Sequence, residues 1–104
     1  MAFTGNEDHE ISLSEAAQLT ANYRDSAEPG SVKAGFFGKS AIEEILEQEK
    51  CVGIRIYYAQ EEDGTPTFVV VGVEENEDDL VEGKIAEAPT PCPPNCGSAN
   101  VLNS

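Results

Sequence analysis

Cys92-Pro93-Pro94-Asn95-Cys96-Gly97 is the segment in which residue type and spacing together could do chemistry. Three residues between cysteines fall within the two-to-four spacing of zinc sites, and the following glycine lets the backbone turn its amides toward the thiolates. Cys51 would add a third sulfur and His9 a nitrogen, so a Cys3His set can be written down. A dithiol redox role is less well supported, because the efficient motif has two intervening residues and a helix N-terminus to lower the first thiol's pKa. The plainer reading is that Cys92 and Cys96 pack as small apolar groups or form a disulfide that pins the tail.

Other constellations fail on their own terms. The single histidine, His9, sits in a polar arm where nothing fixes its tautomer against a nucleophile. Carboxylates abound, but a catalytic acid needs burial or a neighbouring charge, and these lie in polar runs. The acidic stretch Glu74 to Glu82 invites a calcium reading. Against the EF-hand template it places Asp79 where glycine is needed and Ile85 where a bidentate glutamate belongs. No cofactor is expected beyond the zinc alternative, and an enzyme is not expected.

The elements that would position these residues begin with a hairpin. Val52, Ile54, Ile56 and Tyr58 alternate with Gly53, Arg55 and Tyr57, a period of two that puts the first set on a core face. Asp63-Gly64 supplies a residue free to take positive φ, and Pro66 closes the link into TFVVVGV. Lys84 to Ala88 reads as a short third strand. Upstream, Ser12-Leu13-Ser14-Glu15 fits a capping box opening a helix to about Ser26, and Ser40-Ala41-Ile42-Glu43 repeats it for a helix to about Glu49.

From Pro89 the composition turns to proline, glycine and polar residues, which predicts a strap or tail rather than a strand. The expected fold is therefore α+β: two N-terminal helices packed on a small antiparallel sheet built around a β-hairpin, with a Pro/Cys-rich C-terminal tail. The expected organisation is a flexible arm over 1–10, one domain over 11–88 and the tail over 89–104.

CVGIRIYYA with TFVVVGVEEN, then PCPPNC and Asn100-Val101-Leu102, resembles a family of small, acidic, uncharacterised bacterial proteins. The resemblance spans roughly Ile11 to Leu102. It implies a coherent domain and supplies no catalytic residues.

Charge bounds the partners. Six basic residues against twenty acidic ones leave a net charge of −14 on 104 residues. Such a chain is repelled by phosphate backbones and anionic membranes, so neither nucleic acid nor membrane is an expected partner. The expected role is a non-catalytic protein-interaction module that associates with itself. An acidic inhibitor imitating nucleic acid is a further alternative. Both sides of Thr67 to Val73 are apolar, and Val69 and Val71 would form an outer face that needs covering. Phe36 and Phe37, adjacent between Gly35 and Gly38, either tip an interaction surface or anchor a linker. Residues 1–10 show no basic and apolar leader pattern, and no run approaches a membrane span. With an odd cysteine count suited to reduced thiols, a cytoplasmic location is expected.

Overall fold

The computed structural model describes residues 2–103. In chain order they form α1 (Leu13–Ser26), β1 (Ala34–Phe36), α2 (Lys39–Leu46), β2 (Gly53–Gln60), β3 (Pro66–Val73), β4 (Ile85–Glu87) and β5 (Thr90–Cys92). The class is α+β, and every strand pair is antiparallel. Two compact units share the chain. One takes the residues up to Glu7 together with Phe37–Pro89, and the other takes Asp8–Phe36 with Thr90 onward. This division differs from the expected arm, domain and tail, because both ends of the chain are built into packed units.

The sheet unit grows from the hairpin. β2 and β3 pair from Gly53 opposite Val73 to Gln60 opposite Pro66, and β4 adds to the far side of β3. The link closes as its residues demand: Gly64 takes φ +91° and donates its N–H to the Glu61 carbonyl at 2.9 Å, while the Asp63 carboxylate accepts from Thr65 N at 3.0 Å. Directly opposed residues share a face. Ile54, Ile56 and Tyr58 therefore lie with Gly72, Val70 and Phe68, and Arg55 and Tyr57 lie with Val71 and Val69.

α2 packs on β2 and β3. Its Ile45 and the Val70 beneath are each 1% exposed, the two largest side chains fully removed from water. Gly72 lets the end of the helix settle. A Cβ there would lie 2.9 Å from the Gln48 amide nitrogen and 3.0 Å from Cys51 Sγ. The Gln48 side chain then accepts from Lys84 N at 2.7 Å, tying the approach to β4. On the opposite face Val71 and Val73 are each 3% exposed. Phe3 lies on this side, its N–H donating to the Glu75 carbonyl at 2.8 Å and its ring 5.9 Å from the Arg55 guanidinium.

The side expected to face the core is the more open one. Ile54 is 39%, Ile56 54% and Tyr58 91% exposed. The helix covers this face only in part, reaching about 12 Å against about 27 Å for an eight-residue strand. Its cover falls on the central strand, where Val70 and Gly72 are buried while Ile56 and Ile54 directly opposite them on the edge strand stay open. Within its own unit this sheet is covered by α2, and α1 belongs to the second unit.

In that second unit the Ser12 capping box forms as its residues dictate. Ser12 Oγ accepts from Glu15 N and the Glu15 carboxylate accepts from Ser12 N, both at 3.1 Å. α1 buries no residue completely and shows Leu13 and Leu19 to solvent. The tail completes the unit: Arg24 donates to the Leu102 carbonyl at 2.6 Å and Lys33 to that of Asn103 at 2.5 Å. β5 corrects the expectation of no strand after Pro89, for Pro91 stands opposite Gly35 in a two-stranded ribbon with β1. A ribbon of two strands turns alternate N–H groups away from its partner, the position at which proline's missing donor costs nothing.

The second helix also departs from expectation. Gly38, not Ser40, is its N-cap, with no side-chain hydrogen bond, and it ends at Leu46. Ile45→Ala should lower the stability of the sheet unit by about 2–5 kcal/mol, the cost of a cavity in a filled core. Ser40→Ala should stay within about 0.5 kcal/mol, since no cap is lost. Urea titration followed by circular dichroism checks both, and equal losses would contradict this packing.

Candidate functional site

Each candidate ligand has a definite place within one or the other unit. Cys92 and Cys96 are joined to each other by a disulfide with Cα atoms 4.6 Å apart. Cys51 is free, belongs to the sheet unit and donates its S–H to the Gly53 carbonyl at 3.2 Å. His9 is exposed in the polar stretch before α1. Among the described residues no three His, Cys, Asp or Glu side chains gather to hold a metal ion. In this form the Cys92, Cys96 and Cys51 zinc set is replaced by a covalent bond that takes up two of its sulfurs. The disulfide also differs from the reduced thiols expected of an odd cysteine count.

The candidate interaction residues separate as well. Val71 is buried and Val69 half-buried, so the outer face assigned to them is already covered at Val71. Phe36 is 65% exposed at the end of β1, while Phe37 is half-buried.

A polar cluster that sequence reasoning missed lies on the same face as Val71. Asp79 binds Arg55 through one carboxylate oxygen and accepts the Tyr57 hydroxyl on the other. Arg55 also donates to the Glu77 carbonyl at 3.2 Å, and Phe3 stacks over it. The Tyr57 hydrogen bond, followed by the Arg55 interaction, holds the Asp79 carboxyl below the usual aspartate range. That same carboxylate pushes the Tyr57 phenol up, since its proton is the one shared, and raises Arg55 as well. The cluster is closed. Both oxygens of Asp79 are used by the chain itself, so its chemistry is that of a clasp between β2 and the acidic turn. One signal in the sequence pointed here: Arg55 is the only charge between Val52 and Gln60.

The acidic turn closes on itself too. Glu74 N donates to the Asp78 carbonyl at 3.0 Å, and Asn76 bonds both the Asp78 amide and its carboxylate. Val73 then bridges to Asp79. At the other end of the hairpin, Glu61 and Glu87 lie close enough that a hydrogen bond between the carboxyls, and then their mutual repulsion, pushes the Glu61 pKa up.

What remains open is an edge. The sheet order β2-β3-β4 gives β2 one neighbour, so its outer side carries no strand among the described residues. Gly5 passes the start of that strand, where a Cβ would lie 2.8 Å from the Val52 carbonyl oxygen. From Gly53 to Gln60 the edge holds eight residues, no proline and no carboxylate. Among the described residues no helix is long and apolar enough to cross a membrane. Compared with models of known families, with curated proteins and with solved structures, the chain finds no match.

Because Asp79 has its pKa depressed by folding, it stabilises the protein above the ordinary aspartate range, and this contribution disappears as pH falls through the folded value. Wild type should therefore exceed Asp79→Asn in urea midpoint at pH 7, with the gap closing in strong acid. Glu61 has the opposite sign: its raised pKa means that protonation relieves strain with Glu87, so Glu61→Gln should raise the midpoint at neutral pH. A pH-independent gap for Asp79→Asn would refute the clasp.

The cysteine assignment is checked by alkylating the denatured, unreduced protein before mass spectrometry. One adduct, on Cys51, is expected. Three adducts together with stoichiometric zinc in the native sample would restore the metal reading.

Proposed function

We propose that the chain is a small acidic protein-interaction module, without catalysis of its own, that self-associates through the β2 side of its sheet. The observation carrying this reading is the exposed strand itself. Natural edge strands are blunted by charges, proline, bulges or shortness, because a free ladder of N–H and C=O groups recruits other strands. β2 is eight residues long, has no proline and pairs with β3 without a bulge, and Ile56 and Tyr58 on it are open to solvent. Its one charge, Arg55, is matched by Asp79.

The acidity shapes the partner choice. A partner with a basic surface would be drawn to carboxylates, whereas the β2 edge has none, which favours association with a neutral surface. The nucleic-acid mimic is less well supported: the densest acidic run, Glu74 to Asp79, forms a turn that folds back on itself instead of lining an extended strip. The bonded state of Cys92 and Cys96 lowers the zinc alternative, and it bears on location also. Such a bond persists in an oxidising compartment and is reduced in most cytoplasms, so the cytoplasmic placement holds only for the dithiol form.

Sedimentation equilibrium over a concentration series tests self-association. Two copies each of charge −14 repel, and salt screens that repulsion while leaving apolar contacts intact. The dimer should therefore be stronger at moderate ionic strength than at low. A monomer at every concentration in both salts would overturn the reading.

A further inference from the structure

We propose that β2 pairs antiparallel with β2 of a second copy about a two-fold axis that sets Ile56 opposite its own copy, joining the two three-stranded sheets into one of six. This inference rests on the self-association just argued and adds the partner strand and its register.

The backbone requires a strand as occupant. An edge satisfies its outward N–H and C=O groups fully only with another extended chain, and a helix cannot supply the ladder. Charge selects which strand. A second copy carries the same −14, so it can approach closely only where acids are absent, and Gly53–Gln60 meets that condition. Asp79 neutralises Arg55 on its own copy, so two such edges meet without an unmatched charge.

A two-fold axis perpendicular to the sheet matches the same face of the two copies, so it must lie midway between the two copies of one residue, and each choice of that residue has a distinct outcome. Centred on Ile56, the pairing sets Ile56 against its own copy, Ile54 against Tyr58, Arg55 against Tyr57 and Gly53 against Ala59. The open side of the sheet becomes a continuous band of Ile54, Ile56 and Tyr58 from both copies. On the other side each guanidinium meets an aromatic ring. Centred on Arg55, two like charges would stand directly opposed, which destabilises a sheet pair. Centred on Tyr57, Ile54 would face Gln60, and centred on Tyr58 it would face Glu62. Among these, the Ile56 register alone keeps Ile54 against an apolar partner without setting cation against cation; Gln60 falls opposite Val52, just before the strand begins.

Exposure along the strand agrees with this. Ile54, Ile56 and Tyr58 are 39%, 54% and 91% exposed, increasing away from the end that α2 covers. Tyr58 already stacks on Phe68 at 5.9 Å within its own hairpin. In the Ile56 register it would meet the partner's less exposed Ile54, so the most open side chain of each edge packs beside the best-covered one of the other. A pairing of two short strands lies at the small end of specific interfaces, and the dimer is expected to be concentration-dependent.

Disulfide trapping in the full chain tests the register, in a Cys51→Ser background so that the native free thiol takes no part. Opposed residues of an antiparallel pair stand about 4.5–5.5 Å apart at Cα, within disulfide reach. Mild oxidation should link Ile56→Cys into a covalent dimer. Ile54→Cys and Tyr58→Cys should each link poorly alone and efficiently when mixed. Ile56→Lys, at an exposed position, should keep the wild-type circular dichroism spectrum and weaken association at least tenfold by sedimentation. If the wild type dimerises but Ile56→Cys fails to link and Ile56→Lys leaves the affinity unchanged, the proposal is overturned while self-association stands. Linking of Tyr57→Cys with itself instead would overturn the register. A wild type that stays monomeric would overturn both.

Discussion

The shortness of α2 governs the sheet unit. A helix of eight residues covers about 12 Å of a strand that runs about 27 Å, and Gly72 fixes where that cover falls by admitting Gln48 and Cys51 against the backbone. Ile45 and Val70 are dry beneath it. On the edge strand Ile56, directly opposite Val70, stays wet, as does Tyr58 farther along. The exposed apolar strand is thus a consequence of geometry: one short helix shields the centre of the sheet and leaves its β2 edge open.

The second face is closed by different means. Phe3, Arg55, Tyr57 and Asp79 cover it with two aromatic rings and a set of charge-assisted hydrogen bonds. A cluster of this kind is sensitive to pH and to the loss of any one member, because a carboxylate left without its donors near an apolar face is costly. Its location also spares the edge. By matching Arg55 on its own copy, Asp79 removes the one charge that would keep a second β2 away.

Legibility followed the range of the interaction. The Ser12 cap and the Asp63-Gly64 turn depend on residues within a few positions of one another, and each could be read from type and spacing. Arg55 with Asp79 is a contact across 24 positions, and among twenty acids nothing in the sequence singled out Asp79. Ser40 was misread because the capping-box pattern recurred there, while the chain entered the helix earlier with extended backbone at Gly38. Pro91 was misread by applying to a two-stranded ribbon a rule that binds central strands. The cysteines allowed metal, packing or pairing on spacing alone, and only proximity in space separates these.

The second unit solves the problem of a small core by another route. α1 has no completely buried residue, so its amphipathic face supplies little of the burial that usually holds a helix of its length. Its stability falls instead on the capping box at one end and on the tail, where Arg24 and Lys33 take the carbonyls of Leu102 and Asn103. Those carbonyls stay in reach because Asn103 is itself fastened to Cys96, and Cys96 to Cys92 at the end of β5. A covalent link placed there restrains the stretch of chain that the cations must find, which is where a unit short of buried apolar surface gains most from one.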